Sequence, residues 1–201
     1  MILNFKFTMS LVDLAKLAVE SYIKEGKIIS VPKDLDQEFL NKQAGTFVTI
    51  EKRLNSHKVL RGCIGTYLPT RKNIALEVIY NAIAAATEDY RFGRVSQLEL
   101  PDLVYTVYIL SKPELVKTKT ELNPKKYGII VKTTPITSSS NVTFNGKVPV
   151  KTGLLLPDLE GVDTVEKQIS IACLKAGIDL SREKIVIYRF KVEKYHSKCK
   201  I

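Results

Sequence analysis

The 201-residue sequence has no tryptophan, two methionines, two histidines and three cysteines, and each shortage excludes something. Cys63, Cys173 and Cys199 are too few and too scattered for a disulfide framework or a paired-cysteine zinc site, so no metal is expected. With only His57 and His196 available, a Cys–His catalytic pair has almost no candidates. His57 precedes Cys63 by roughly 20 Å of extended chain at about 3.3 Å per residue. The turn residues Asn55-Ser56 lie before His57 rather than between it and Cys63, so His57 reads as a solvated hairpin-loop residue. No stretch reaches the roughly 18 apolar residues of a membrane helix. The N-terminus lacks a basic region followed by an apolar core and cleavage site, and a cytoplasmic protein without membrane association is expected. There is no dinucleotide glycine pattern and no phosphate-loop lysine motif, which argues against hydride transfer and nucleotide hydrolysis. Nothing in the residues indicates a cofactor.

What is present is an ordinary globular composition with a basic excess. Hydrophobic residues make up 45% and charged residues 26%, enough for one substantial core. The 31 Lys and Arg against 21 Asp and Glu leave a net charge of +10, which favours anionic partners, nucleic acid among them. The lysines are dispersed, however, and the densest group, Lys191, Lys194, Lys198 and Lys200, reads as a solvated tail. No aromatic-interleaved basic motif of the kind that reads RNA bases occurs, so charge alone supports nucleic-acid binding only weakly.

The most informative run is Leu60-Arg61-Gly62-Cys63-Ile64-Gly65. Glycine disfavours a strand interior unless a ligand or another backbone approaches closely, so two glycines around one thiol need a reason. In an extended segment Arg61 and Cys63 face the same side, where the guanidinium would favour the thiolate. Against this stands the common fate of a lone cysteine, which is to be a small buried hydrophobe.

Ser10 with Asp13 and the stripe Leu11, Leu14, Ala15, Ala18 and Tyr22 predicts a capped amphipathic helix ending at Gly26. Residues 46–52 and 58–64 read as an antiparallel pair with Cys63 near a strand end. After Pro69-Thr70 a second helix is expected through about Ala86, where Ala84–Ala86 permits close packing. Asp89-Tyr90-Arg91-Phe92 then forms a returning loop, either a site or a structural ion pair with Phe92 as a core plug. Leu103–Leu110 reads as a central strand and residues 133–140 as a polar loop. Asn145-Gly146 reads as a hairpin turn. Asp163 with Glu166 is expected to cap a helix through about Ala176, closed by Gly177, with Cys173 as inert core. Residues 185–192 make the final strand.

LRGCIG followed by Thr66-Tyr67 resembles the signature of the AMMECR family, named after the Alport, midface-hypoplasia and elliptocytosis chromosomal region. Gly45-Thr46-Phe47-Val48-Thr49-Ile50, Ala84-Ala85-Ala86, Asp89-Tyr90-Arg91-Phe92, Glu99-Leu100, Tyr127-Gly128-Ile129-Ile130-Val131, Gly153-Leu154-Leu155-Leu156-Pro157 and Lys175-Ala176-Gly177 follow in the family's order, over about residues 10–195. The resemblance implies an α+β domain spanning 1–201, mainly an antiparallel sheet flanked by helices. A smaller lobe would come from part of 111–160, and LRGCIG would lie in a cleft. It also implies association with Memo-type and radical S-adenosylmethionine proteins, and hence modification chemistry, RNA-related in one version.

Two functions follow as expectations. In the first, an enzyme or enzyme subunit handles an anionic substrate, with Cys63 as nucleophile or general acid and Arg61 as its charge partner. Arg91 grips a carboxylate or phosphate, and Asp89 or Glu88 moves protons. In the second, Arg61, Gly62, Ile64 and Gly65 line a rigid groove that docks a protein, nucleic acid or small ligand without chemistry. A third reading remains, in which the glycines serve only tight strand packing.

Overall fold

The computed structural model describes residues 9–134 and 149–196. The turn expected at Asn145-Gly146, nearly all of the polar 133–140 stretch, and Cys199, Lys198 and Lys200 lie outside the described residues. The chain divides into two compact units, Met1–Leu110 with Glu193–Ile201, and Ser111–Val192.

In the first unit, helix α1 (Leu11–Glu25) starts where the sequence signals it. The Ser10 hydroxyl accepts the Asp13 backbone N–H while the Asp13 carboxylate reaches back to Ser10, and Gly26 ends the helix at φ 69°. A short helix α2 (Gln37–Asn41) precedes the strands β1 (Thr46–Leu54) and β2 (His57–Gly65). These pair antiparallel across the Asn55-Ser56 turn, whose Asn55 adopts φ 51°. Helix α3 (Ile74–Thr87) begins later than Pro69-Thr70 suggested, because Asn73 supplies the cap by accepting the Leu76 N–H. Strand β3 (Leu103–Leu110) is the interior strand expected from its two apolar faces.

The second unit contains β4 (Glu114–Leu115), β5 (Gly128–Thr133), β6 (Thr152–Leu155), α4 (Val165–Lys175) and β7 (Ile185–Phe190). Strand β8 (Val192–His196) follows. One sheet runs β2-β1-β3-β8 and the other β4-β7-β5-β6. The architecture is therefore α+β, as expected, with two antiparallel sheets and flanking helices. The single final strand expected over 185–192 is divided: β7 closes the second sheet, and after Lys191 the chain enters the first as β8. The cap of α4 is Thr164, not Asp163, whose carboxylate instead meets Lys125 at 2.9 Å.

Helices α1 and α3 cover one face of the first sheet and bury Val48, Ile50, Tyr105, Val107 and Ile109. Alternation then places Phe47, Thr49, Thr106 and Tyr108 on the opposite face. In the second unit α4 buries Ile169, Ala172 and Cys173 against Ile129, Val131 and Leu155. Burial pushes the Cys173 thiol up, consistent with inert core.

Candidate functional site around Cys63

The strand pair carries a β-bulge at the signature. Ile50 stands opposite Gly62 but Glu51 stands opposite Leu60, which leaves Arg61 as the extra residue. The expectation that Arg61 and Cys63 share a face fails here, because the bulge interrupts the alternation on which it rested. Arg61 turns away and is consumed by structural contacts. Its Nε and Nη2 donate to the two Glu99 carboxylate oxygens at 2.8 and 3.1 Å. Its Nη1 and Nη2 donate to the carbonyls of Gly93 and Arg94 at 2.7 and 3.2 Å. Lys52 also approaches Glu99, at 3.5 Å. The Arg61 guanidinium holds the Glu99 carboxyl down at about 2.

The two glycines of the signature answer to packing. A Cβ on Gly62 would stand 2.0 Å from the Ala85 carbonyl oxygen of α3, and one on Gly65 would stand 2.3 Å from the Phe47 ring and the Thr46 carbonyl. The second unit repeats the device, with Gly153 facing the Ala172 carbonyl at the same 2.0 Å. Ile64 packs against the first unit's core. Gly62, Ile64 and Gly65 thus join strand to helix and strand to strand, and Ala84–Ala86 is a packing surface.

Cys63 itself is half-buried on the face away from the helices, paired with Thr49. The Thr49 hydroxyl donates to Cys63 Sγ at 3.2 Å. Tyr108, on the same face of the neighbouring strand β3, lies near enough to Thr49 to interact with it. Burial pushes the Tyr108 phenol up, opposed by the Thr49 hydroxyl, which favours the phenolate, and helped by the charges of Cys63 and Glu51. A threonine has one proton to give, and the Cys63 sulfur takes it. Sequence reasoning missed Thr49 and Tyr108. An uninterrupted hairpin closed by Leu54 and His57 sets Thr49 opposite Gly62, and only the bulge brings Cys63 there.

Asp89 belongs to this site, in a different role from the one expected. Its buried carboxylate accepts the Cys63 backbone N–H at 2.8 Å. It also takes both Nε and Nη2 of Arg91, at 2.9 and 2.7 Å. The Arg91 guanidinium and the Cys63 N–H hold its carboxyl down at about 2, so it stays ionised and positions its neighbours rather than exchanging protons near neutrality. The cation that interacts with Cys63 is therefore Arg91, whose charge is reinforced by Asp89 first and by Cys63 as well. Glu88 is exposed at the C-cap of α3.

A further buried carboxylate shapes the chain after β2. Glu77 accepts the Thr66 hydroxyl at 2.7 Å, the Thr70 N–H and hydroxyl at 2.8 Å each, and the Arg71 N–H at 2.7 Å. Asn81, also buried, donates to the Thr46 carbonyl and hydroxyl at 3.0 and 2.9 Å. Among the described residues no group of three or more His, Cys, Asp and Glu could hold a metal ion. No described helix is long and apolar enough to cross a membrane.

The chain is similar to known proteins over most of its length. A Thermotoga maritima protein is 50% identical over 177 residues, covering 88% of this chain and 91% of its own length. A Clostridium acetobutylicum protein is 41% identical over 185 residues, which cover 92% of this chain but 35% of that longer protein. The crystal structure of an uncharacterized protein from Pyrococcus horikoshii matches with a TM-score of 0.77 at 29% identity, over 94% of this chain and 90% of that one. The AMMECR1 family model matches residues 12–195, and the chain belongs to the AMMECR1 family.

Proposed function

We propose that the face around Cys63 is the working site of an enzyme, or of an enzyme subunit, that acts on an anionic group. The observation that carries this is the Thr49 hydroxyl donating to the half-buried Cys63 sulfur beside a guanidinium that Asp89 locks in place. A donor to sulfur and a nearby cation both favour the thiolate, the nucleophilic form of cysteine. Arg91 spends Nε and Nη2 on Asp89, which leaves Nη1 for a substrate carboxylate or phosphate. In this reading Cys63 attacks or protonates the substrate, Arg91 holds its charge, and Asp89 is a positioning residue.

The family resemblance extends the proposal to a modification pathway, RNA-related in one version, in which the domain works beside Memo-type or radical S-adenosylmethionine proteins. That the Clostridium relative is nearly three times the length of the matched region fits a domain that serves within larger assemblies.

The test is the pH profile of Cys63 alkylation in the folded chain, read by peptide mass spectrometry with buried Cys173 as the internal comparison. Rapid modification at pH values well below the ordinary thiol range of about 8.5 supports the nucleophile. A slow or ordinary profile overturns it and leaves a second reading, favoured by one specific observation: Arg61, Gly62, Ile64 and Gly65 are wholly engaged in packing and ion pairing, as a rigid docking module requires. Under that reading Cys63→Ser leaves ligand or partner binding intact.

A further inference from the structure

The outer edge of β2 has two different halves. Along Arg61–Cys63 it is stitched shut by the segment after α3, through Asp89 to the Cys63 N–H and through Arg61 to the carbonyls of Gly93 and Arg94. Along His57–Leu60 no such segment runs among the described residues, where β2 is the terminal strand of its sheet. The Leu54–His57 pair closes a two-residue turn, so antiparallel alternation directs the backbone groups of Lys58 and Leu60 away from β1. Cys63, on the far side of the bulge, presents its N–H outward in the same sense, to Asp89.

The side chains of this open half are not those of a solvated hairpin alone. Leu54, Val59 and Leu60 are exposed at 40%, 37% and 40%. Arg53 stands directly across from Lys58, with exposed His57 at the turn. Glu51, opposite Leu60, shares this face, so two cations against one carboxylate leave it net positive, and the like charges directly opposite one another weaken the strand pair. An unpaired edge with apolar side chains is a template for another strand, and its charge decides which strand.

We propose that the His57–Leu60 edge receives an extended acidic segment of a partner polypeptide as an added β-strand. The outward N–H and C=O groups of Lys58 and Leu60 supply the ladder, Arg53 and Lys58 meet the carboxylates, and Leu60 takes the alternate apolar side chains. A second copy of this chain is the wrong occupant, because edge-to-edge pairing brings the Lys58 and Arg53 charges of the two copies together. Single-stranded nucleic acid fits less well, since no Phe, Tyr or Trp lies between Glu51 and Arg61 to stack a base. The stitched Arg61–Cys63 half stops the added strand before it reaches the thiol, so this surface is independent of the proposed chemistry.

The experiment titrates the full chain against a fluorescein-labelled peptide of alternating glutamate and valine, read by fluorescence polarisation. The expected result is salt-sensitive binding, with amide exchange at Lys58 and Leu60 slowed by the peptide. The pair Arg53→Glu and Lys58→Glu should weaken binding by about tenfold or more. Leu60→Pro removes only an outward N–H, which an edge strand tolerates, and should weaken binding more than Leu60→Ala does. Circular dichroism verifies that each variant is folded. The proposal is overturned if the peptide does not bind, or if both the charge reversal and the proline leave binding unchanged. Equal binding of an alternating lysine-valine peptide, or displacement of the acidic peptide by oligouridylate, overturns it as well. If these charges serve only to keep copies apart, the reversed-charge variant self-associates in sedimentation velocity and the wild type ignores the peptide.

Discussion

The carboxylate of Asp89 accepts the backbone N–H of Cys63 at 2.8 Å, across 26 positions of sequence, and so fastens the loop after α3 to the edge of β2. One group thereby satisfies an outward-facing strand donor, covers the edge beside the thiol and orients Arg91.

Asp89→Asn is expected to cost about 2 kcal/mol at neutral pH, the equivalent of moving a carboxyl from its ordinary value to about 2. Because the folded value lies below the unfolded one, this contribution is complete above about pH 4. It is lost as the pH falls through about 2. Urea denaturation of both proteins across that interval should show the difference narrowing and then vanishing. A difference that persists unchanged at the acid end would show that geometry rather than ionisation makes Asp89 necessary.

Gly62→Ala should destabilise the first unit by about 3 kcal/mol or more, since its Cβ would have to displace the backbone of α3 at Ala85. Gly153→Ala, which meets the Ala172 carbonyl at the same 2.0 Å, should behave alike in the second unit. Gly93→Ala, with nothing within 4 Å, is the control and should change stability by less than about 0.5 kcal/mol. Thermal melts of the three variants decide whether the glycines beside Cys63 answer to packing.

How far these features were legible in the sequence depends on how far apart the partners lie. Ser10, Asp13 and Gly26 bound α1 within one local stretch, and capping chemistry is readable there. The hairpin and the apolar strand β3 were likewise visible from composition and period. The bulge was not, because one extra residue at Arg61 leaves the apolar pattern of β2 intact while shifting every pairing beyond it. Arg61 therefore looked like the neighbour of Cys63, whereas its charge is answered by Glu99, 38 positions away. Thr49 and Tyr108 carried no signal of their own. They matter because three strands set them beside one sulfur, which only the folded register reveals. The split of the last strand between two sheets was hidden for a similar reason: one residue, Lys191, separates β7 from β8.

Glu77→Ala should loosen the segment after β2. Four hydrogen bonds converge on that buried carboxylate from Thr66, Thr70 and Arg71, and deletion strands their donors at a cost of about 3 kcal/mol. The Thr70 and Arg71 amides should then exchange faster with deuterium while those of β1 keep their protection. Glu77→Gln should do less harm, because its carbonyl can still accept the Thr70 and Arg71 N–H groups while its amide donates to the Thr66 and Thr70 hydroxyls, which accept as well as donate. Uniform loss of protection in both variants would instead mean that Glu77 holds up the unit as a whole.

The sulfur, the hydroxyl and the phenol make the last prediction the sharpest for function. Thr49 directs its one proton at Cys63, and half-buried Tyr108 stands beside the pair. Removing that proton with the near-isosteric Thr49→Val should slow Cys63 alkylation about fivefold near neutrality, the worth of one hydrogen bond of about 1 kcal/mol, and shift the profile to higher pH. Tyr108→Phe leaves the Thr49 donor in place and should change the profile little. Arg91→Ala should also slow the reaction, and added salt should mimic it in the wild type, since a partly exposed guanidinium is screened. If Thr49→Val leaves the rate unchanged while Arg91→Ala slows it, activation rests on charge alone and the Thr49 hydrogen bond has no part in the chemistry. If neither changes it, Cys63 is a structural thiol and the rigid docking reading takes precedence.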